Sequence, residues 1–310
     1  MAVYTREVRF DGRVAIVTGA GAGLGREYAV LLAQRGAQVV INDISDVKAK
    51  ETQEIIQKDG GKAIVVIENV GDSAGARRVV SEAVSTYGTI HIVINNAGNW
   101  MARYFHEYTD EEFLQCISTH FFACWYVCQA AWPYMKQQRY GRIINIASSS
   151  VKGPPNMAAY GSSKGAILGL SNSLAVEGKE FSIQVNTVGP AAFTKMTVDT
   201  LADSQPERLA SLAQAMPAWA VARTVAWIAS EDCKVTGHFI VAIGNSFAKM
   251  FLGETLGVMG PQDRYTIEFV RDNWEKGMDE QDYVNREDMM AGAPVCDARL
   301  QGILKPGDFK

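Results

Sequence analysis

Tyr160-Gly161-Ser162-Ser163-Lys164 sets a phenol and an ammonium four residues apart, which on a helix places both side chains on one face. A free phenol ionises near pH ~10, so a tyrosine serving as general acid or base at neutral pH needs help. The ammonium of Lys164 would supply it by favouring phenolate. Tyr160 would then take a proton from an alcohol or return one to a carbonyl. Just upstream, Ile143-Ile144-Asn145-Ile146 reads as a strand that runs into Ser148, Ser149 and Ser150. A hydroxyl at that strand end would hydrogen-bond the reacting oxygen. Tyr-x-x-x-Lys is by itself a common surface pair, so its meaning depends on what precedes it.

What precedes it is a nucleotide loop. Thr18-Gly19-Ala20-Gly21-Ala22-Gly23-Leu24-Gly25 follows the short apolar strand Val14-Ala15-Ile16-Val17 and opens a helix. Glycines let the chain turn sharply and approach a pyrophosphate, and the helix start offers free N–H groups and a positive dipole end. In the first βαβ unit this string predicts dinucleotide binding. The second strand ends at Ile41-Asn42-Asp43. A carboxylate there would accept from both ribose hydroxyls of NAD and repel the 2′-phosphate of NADP; its plain alternative is a turn or capping aspartate. Arg26, just past the turn, is either a phosphate ligand or a solvated arginine at a helix start.

The elements that must hold these groups alternate along the chain. Strands are expected at Val14–Val17, Gln38–Asn42, Ala63–Ile67, Ile90–Asn95, Arg142–Ala147, Ile183–Val188 and Phe239–Ile243. Helices are expected at Arg26–Arg35, Val47–Asp59, Ala74–Tyr87, Glu111–Gln137 and Ala159–Glu177. Near-continuous Val/Ile strands between helices imply a parallel sheet covered on both faces, an α/β Rossmann-type doubly wound fold. A single domain is expected over residues 1–252. Residues 253–310 read as a C-terminal extension packing on the core or on a subunit, with Ile267, Val270 and Trp274 on one helical face.

Composition narrows the partners. The 310 residues are 47% hydrophobic with a net charge of −4 and no basic stripe, which argues against nucleic acid. No apolar run approaches the ~20 residues of a membrane span, Arg6, Glu7 and Arg9 stand where a signal peptide is apolar, and the C-terminal Gly307-Asp308-Phe309-Lys310 matches no peroxisomal or retention address. The expected setting is cytoplasmic. The five cysteines lack metal-ligand spacing and read as buried free thiols, with no metal site.

The ordered motifs resemble the short-chain dehydrogenase/reductase family. They are Thr18-Gly19-x-x-x-Gly23-x-Gly25, Asn95-Asn96-Ala97-Gly98, a strand-end serine, Tyr160-x-x-x-Lys164, and Gly189-Pro190 followed by Thr194, together covering about residues 10 to 250. The resemblance implies Tyr160 as general acid/base, Lys164 on the nicotinamide ribose and a serine that orients substrate. That serine is Ser148 by the Asn-Ile-x-Ser pattern, with Ser149 in reserve. Cofactor contacts are implied for Gly19, Gly23, Leu24, Gly25, Asp43, Asn69, Val70, Asn95, Ala97, Gly98, Pro190 and Thr194, besides Tyr160 and Lys164. Where the family commonly carries an asparagine for proton relay, alignment through Ala130-Ala131-Trp132 places His120, either a relay group or a satisfied core histidine.

Tyr140-Gly141-Arg142-Ile143-Ile144, Asn172-Ser173-Leu174-Ala175-Val176-Glu177-Gly178 and Thr255-Leu256-Gly257 followed by Val270-Arg271-Asp272-Asn273-Trp274 resemble one branch of that family. It comprises the (3R)-hydroxyacyl-CoA dehydrogenase parts of peroxisomal D-bifunctional (multifunctional type 2) enzymes and related hydroxysteroid dehydrogenase-like proteins. The resemblance implies NAD as cofactor, a hydrophobic secondary alcohol as substrate with a 3-hydroxyacyl-CoA foremost, and a homodimer or homotetramer. Met196 to Met216 would form a substrate lid. A hydroxysteroid or aromatic-alcohol dehydrogenase and an inactive scaffold subunit are the alternatives; intact Gly, Tyr and Lys motifs weigh against the scaffold.

Overall fold

The computed structural model describes residues 6–195, 197–198, 206–255, 257–260, 262–281 and 283–285. Seven strands form the parallel part of one sheet: β1 (Val14–Thr18), β2 (Gln38–Asp43), β3 (Lys62–Ile67), β4 (Ile92–Asn95), β5 (Gly141–Ile146), β6 (Ile183–Ala191) and β7 (Phe239–Ile243). An eighth, β8 (Ser246–Met250), completes the order 3-2-1-4-5-6-7-8. Only Gly244 and Asn245 separate β7 from β8, a link short enough for a hairpin but not for a parallel crossover. The register sets Val17 of β1 between Ile41 of β2 and Ile94 of β4. All three are fully buried, as strands covered on both faces must be.

Helices α1 (Gly23–Gln34), α2 (Asp46–Lys58), α3 (Ser73–Tyr87), α4 (Asp110–Ile117), α5 (Ala123–Gln138) and α6 (Ala158–Glu177) follow the strands. Two more, α7 (Leu209–Ala215) and α8 (Ala218–Ala229), lie between β6 and β7. The buried core falls into two main clusters. One joins α1 and α8 to the sheet through Leu32, Ile41, Val221 and Val225; the other joins α3 and α5 through Val79, Val93, Val127 and Met135. The strand order reverses between β1 and β4, so the crevice beyond the C-terminal ends Thr18 and Asn95 is where such a sheet takes its ligand.

Three differences from the sequence reading bear on the site. The helix expected over Glu111–Gln137 is interrupted by a π-helical turn at Ser118–Phe122, which the sequence hid because the apolar pattern continues through it. Strand β8 is an addition, invisible as a core strand since its residues are mostly exposed. Of the expected Met196–Met216 lid, residues 196 and 199–205 lie outside the described residues, and α7 accounts for much of its later part.

By Cα proximity the chain divides into compact units at 1–249 and 250–310. Within the second, β9 (Gly253–Thr255) pairs antiparallel with β10 (Tyr283–Asn285), and Phe251 stacks on Tyr283 with centroids 5.4 Å apart. The helical face read from the sequence breaks at Asn273 into α9 (Ile267–Asp272) and α10 (Trp274–Gly277). Ile267 and Trp274 are exposed. Among the described residues no helix is long and apolar enough to cross a membrane. The four described cysteines are free and buried; Cys296 lies outside the described residues.

Candidate active site

The Gly-rich loop leaves β1 with its turns fixed from two sides. The Thr18 hydroxyl accepts from the backbone N–H of Asn96 (2.9 Å) and of Ala97 (3.0 Å). The Asn96 carboxamide donates back to the carbonyls of Thr18 and Gly19 at 3.0 and 3.2 Å. The loops beyond β1 and β4 are thereby one hydrogen-bonded unit across the switch point. Gly25 cannot be larger: a Cβ there would lie 2.1 Å from the Gly19 carbonyl oxygen. Gly23, in left-handed backbone, approaches Thr194, which brings the segment after β6 to the same place. Half-buried Pro190 lies near the end of β6, and Leu24 packs against the α1 side of the core.

At the end of β2 the Asp43 carboxylate accepts from Gly21 N–H and from Ser45 N–H, each at 2.9 Å. Each oxygen keeps a lone pair for a ribose hydroxyl. Arg26 is engaged within the chain: its guanidinium donates to the Gly21 carbonyl and Thr52 hydroxyl and pairs with Glu51 at 2.7 Å. It clamps the loop from outside. Beyond β3, exposed Asn69 accepts from Gly71 N–H and Val70 is buried in the core. Asn95 is buried deeper, donating to Asn145, which donates to Ser171; its role is to tie β4 to β5 and α6.

At the chemical end, Tyr160 and Lys164 share the first turns of α6, and both are buried. The Ser148 hydroxyl is placed to lower the pKa of the Tyr160 phenol, whereas Ser149 is exposed and Ser150 buried. Ser148 Oγ also accepts from Ser150 N–H at 3.1 Å, which fixes its rotamer. The Lys164 ammonium donates to the Ile146 carbonyl at 2.8 Å and lies 5.6 Å from the centre of the Tyr160 ring. Burial pulls its pKa down to about 8. Burial also raises the phenol of Tyr160, against the Ser148 hydroxyl, which lowers it. The chain by itself therefore holds a neutral phenol: desolvation outweighs the help expected from an ammonium turned towards Ile146.

An ammonium carries three donors, and among the described residues Lys164 has one hydrogen-bond partner. A buried cation with two free N–H groups fits a polyhydroxylated ligand such as a ribose. With the glycine loop and Asp43, the residues present suit a nicotinamide dinucleotide.

His120 sits on the π turn, 1% exposed, with Nε2 against the Asn99 backbone and Nδ1 3.0 Å from Ser163 Oγ. Gly98 lies over its ring. Three neighbours were not legible in the sequence. Trp100 packs its ring 5.3 Å from that of Tyr160 while 37% exposed, forming a wall beside the phenol with Met101, Tyr108 and Met157. Ser163 and Asn99 hold His120. The signal available for them was their place inside or directly after motifs already singled out.

Residues 13–205 match the family model described as short chain dehydrogenase. The chain is 39% identical over 281 residues to "Peroxisomal multifunctional enzyme type 2" of Mus musculus, covering 87% of this chain and 37% of that protein. It therefore spans well under half the length of that relative. Among solved structures, full-length peroxisomal multifunctional enzyme type 2 from Drosophila melanogaster matches with a TM-score of 0.78 and 30% identity, covering 96% of this chain and 50% of that one. A 7α-hydroxysteroid dehydrogenase complexed with NADH and 7-oxo glycochenodeoxycholic acid matches with a TM-score of 0.70 and 27% identity, over 78% of this chain and 96% of that one.

Proposed function

This chain belongs to the short-chain dehydrogenase family, the nicotinamide-dependent oxidoreductases acting on CH–OH groups, and on that footing we propose that it is an NAD-dependent dehydrogenase of a hydrophobic secondary alcohol, foremost a 3-hydroxyacyl-CoA giving the 3-oxoacyl-CoA. The observation that carries the chemistry is the group formed by half-buried Ser148 with buried Tyr160 and Lys164. A scaffold would have no use for an ammonium buried at the mouth of a dinucleotide crevice. A bound nicotinamide dinucleotide supplies the hydride acceptor or donor.

Tyr160 acts as general base on the alcohol hydroxyl, or as general acid on the ketone. Ser148 donates to the same oxygen and holds it within reach of the phenol. Lys164 binds the ribose hydroxyls with its free N–H groups, and its charge favours the phenolate form once the site is filled. Asp43, at the far end of the loop, selects the unphosphorylated adenosine ribose, hence NAD. Trp100, Met101 and Met157 give the substrate an apolar wall, which suits an acyl chain or a sterol. The acyl-CoA reading takes its support from the likeness to multifunctional enzyme type 2 across 87% of the chain. The steroid reading takes its support from the 7α-hydroxysteroid dehydrogenase structure. A homodimer or homotetramer in the cytoplasm remains part of the proposal.

The test is the initial rate with NAD⁺ and NADP⁺ over a panel of 3-hydroxyacyl-CoA thioesters, hydroxysteroids and aromatic secondary alcohols. Turnover of a (3R)-hydroxyacyl-CoA with NAD⁺ is expected; activity only on free alcohols would move the protein to the second reading. In either case Tyr160→Phe loses nearly all turnover and keeps NAD binding. A normal rate in that variant would refute the assignment.

A further inference from the structure

His120 occupies the widened turn between α4 and α5, in contact with two other parts of the site. Its Nε2 faces the backbone of Asn99, with the amide nitrogen at 3.1 Å and the carbonyl oxygen at 3.0 Å. Its Nδ1 faces Ser163 Oγ at 3.0 Å, and Ser163 Oγ lies 2.8 Å from the Tyr160 carbonyl. Cys116 Sγ is 3.5 Å from Nδ1. Ser163, Cys116 and His120 are all fully buried or nearly so.

The protons of this cluster can be counted. A serine hydroxyl has one hydrogen. If Ser163 donates to the Tyr160 carbonyl, its oxygen must accept from Nδ1–H. Neutral imidazole then leaves Nε2 as an acceptor, matched by the Asn99 N–H. Every donor in the chain is used. The opposite tautomer would donate from Nε2 to the Asn99 carbonyl and leave the part-buried Asn99 N–H without its acceptor, which is unfavourable. Packing reinforces the choice. A Cβ at Gly98 would lie 3.1 Å from His120 Cδ2 and 3.2 Å from Nε2, so the turn closes onto the imidazole only because residue 98 has no side chain. The Tyr160 ring meets the imidazole edge-on, centroids 5.2 Å apart and planes at 89°.

We infer that His120 is a positioning residue, which pins the Asn95–Asn99 turn to the first turn of α6 through a fixed Nδ1–H tautomer and carries no proton in the reaction. Both ring nitrogens end on protein groups, and neither meets the Tyr160 hydroxyl or the Lys164 ammonium among the described residues. The ionisable groups around it are Lys164, Cys116 and Tyr160. Burial and then the Lys164 charge pull its pKa down to about 3, so the ring is neutral wherever the enzyme works. The consequence for the reaction rests on Tyr160 being the acid–base group: His120 and Ser163 set where the phenol stands relative to the nicotinamide-binding turn.

Nitrogen-15 NMR of histidine-labelled protein tests this without any substrate. His120, assigned by its loss in His120→Asn, should show a neutral Nδ1–H tautomer without titrating between about pH 5 and pH 9. An Nε2–H signal, or a titration in that window, would overturn the inference. Kinetics supply the second measurement. His120→Ala should lower kcat about 10- to 100-fold, as small misplacements at a reacting centre do, with the pH–rate profile unmoved. His120→Asn, whose carboxamide keeps a donor at the Nδ1 position, should recover a large part. Ser163→Ala added to His120→Ala should cost nothing further. A shifted profile in His120→Asn, or multiplicative losses in the double variant, would restore a proton-carrying role. Because the NMR result needs no turnover, failure of the tautomer and failure of the Tyr160 assignment are read separately.

Discussion

Asp43 has two roles that one substitution would separate. Its oxygens fix the Gly-rich loop through Gly21 and Ser45, and their remaining lone pairs face the space proposed for the adenosine ribose. Asp43→Ala should raise the NADP⁺ to NAD⁺ ratio of kcat/KM at least tenfold, by removing both the ribose acceptor and the repulsion of a 2′-phosphate. It should also lower apo-protein stability by about 1–3 kcal/mol, the worth of hydrogen bonds to a charged partner. Cofactor kinetics and thermal unfolding of the same variant check both. An unchanged ratio with a lowered Tm would leave Asp43 as a loop aspartate only. Tyr160, Lys164 and Asp43 could be read from the sequence because helix geometry and the βαβ spacing fix their relations locally. Ser163, Asn99 and Trp100 could not. Asn99 reaches His120 across 21 residues and Ser163 reaches it across 43, and nothing local in the chain encodes that approach.

At the scale of elements, the steric demand of the first loop predicts a sharp contrast between glycines. Gly25→Ala must move either the loop or α1, since the new methyl would overlap the Gly19 carbonyl; NADH binding, followed by fluorescence, should weaken at least tenfold. Gly169 lies inside α6 with nothing within 4 Å of an added Cβ. Gly169→Ala should leave NADH binding alone and stabilise the chain by about 0.5–1 kcal/mol through helix propensity. Equal effects at the two positions would remove close approach as the reason for Gly25. The seven parallel strands were visible as Val/Ile runs because burial on both faces demands them. The π turn at Ser118–Phe122 was hidden, since Cys116, His120 and Cys124 are all buried and keep an apolar rhythm through it. Strand β8 was hidden for the opposite reason: an exposed edge strand needs no core pattern.

Across the whole molecule, the sheet separates the chemistry at its C-terminal edge from a cluster of charge at the other. There the Tyr140 ring lies between the guanidinium groups of Arg13 and Arg142, at 4.1 and 4.4 Å, and His91 meets it edge-on at 5.8 Å. His91 Nδ1 accepts from Val14 N–H at 3.0 Å, so protonation would remove that acceptor and add a cation beside Arg13. Burial first, and Arg13 second, lower its pKa from 6.5 to about 4; His120, at the other edge, falls to about 3. Between these values and 6.5 the unfolded chain binds protons that the folded chain refuses. Stability must therefore be complete above about pH 6.5 and decline as pH falls towards 4. The paired carboxylates Glu68, Glu112 and Glu231, all lowered by arginine partners from a usual 4.5, lose their contribution only below that value. The interval from about 4.5 to 6.5 thus belongs to the histidines. Thermal unfolding across it should show Tm falling with pH, and His91→Asn, which keeps an acceptor for Val14 without a titrating ring, should flatten the slope. A Tm that is level over this interval, or a slope that His91→Asn leaves intact, would mean that His91 is not the group whose protonation opens this edge of the sheet.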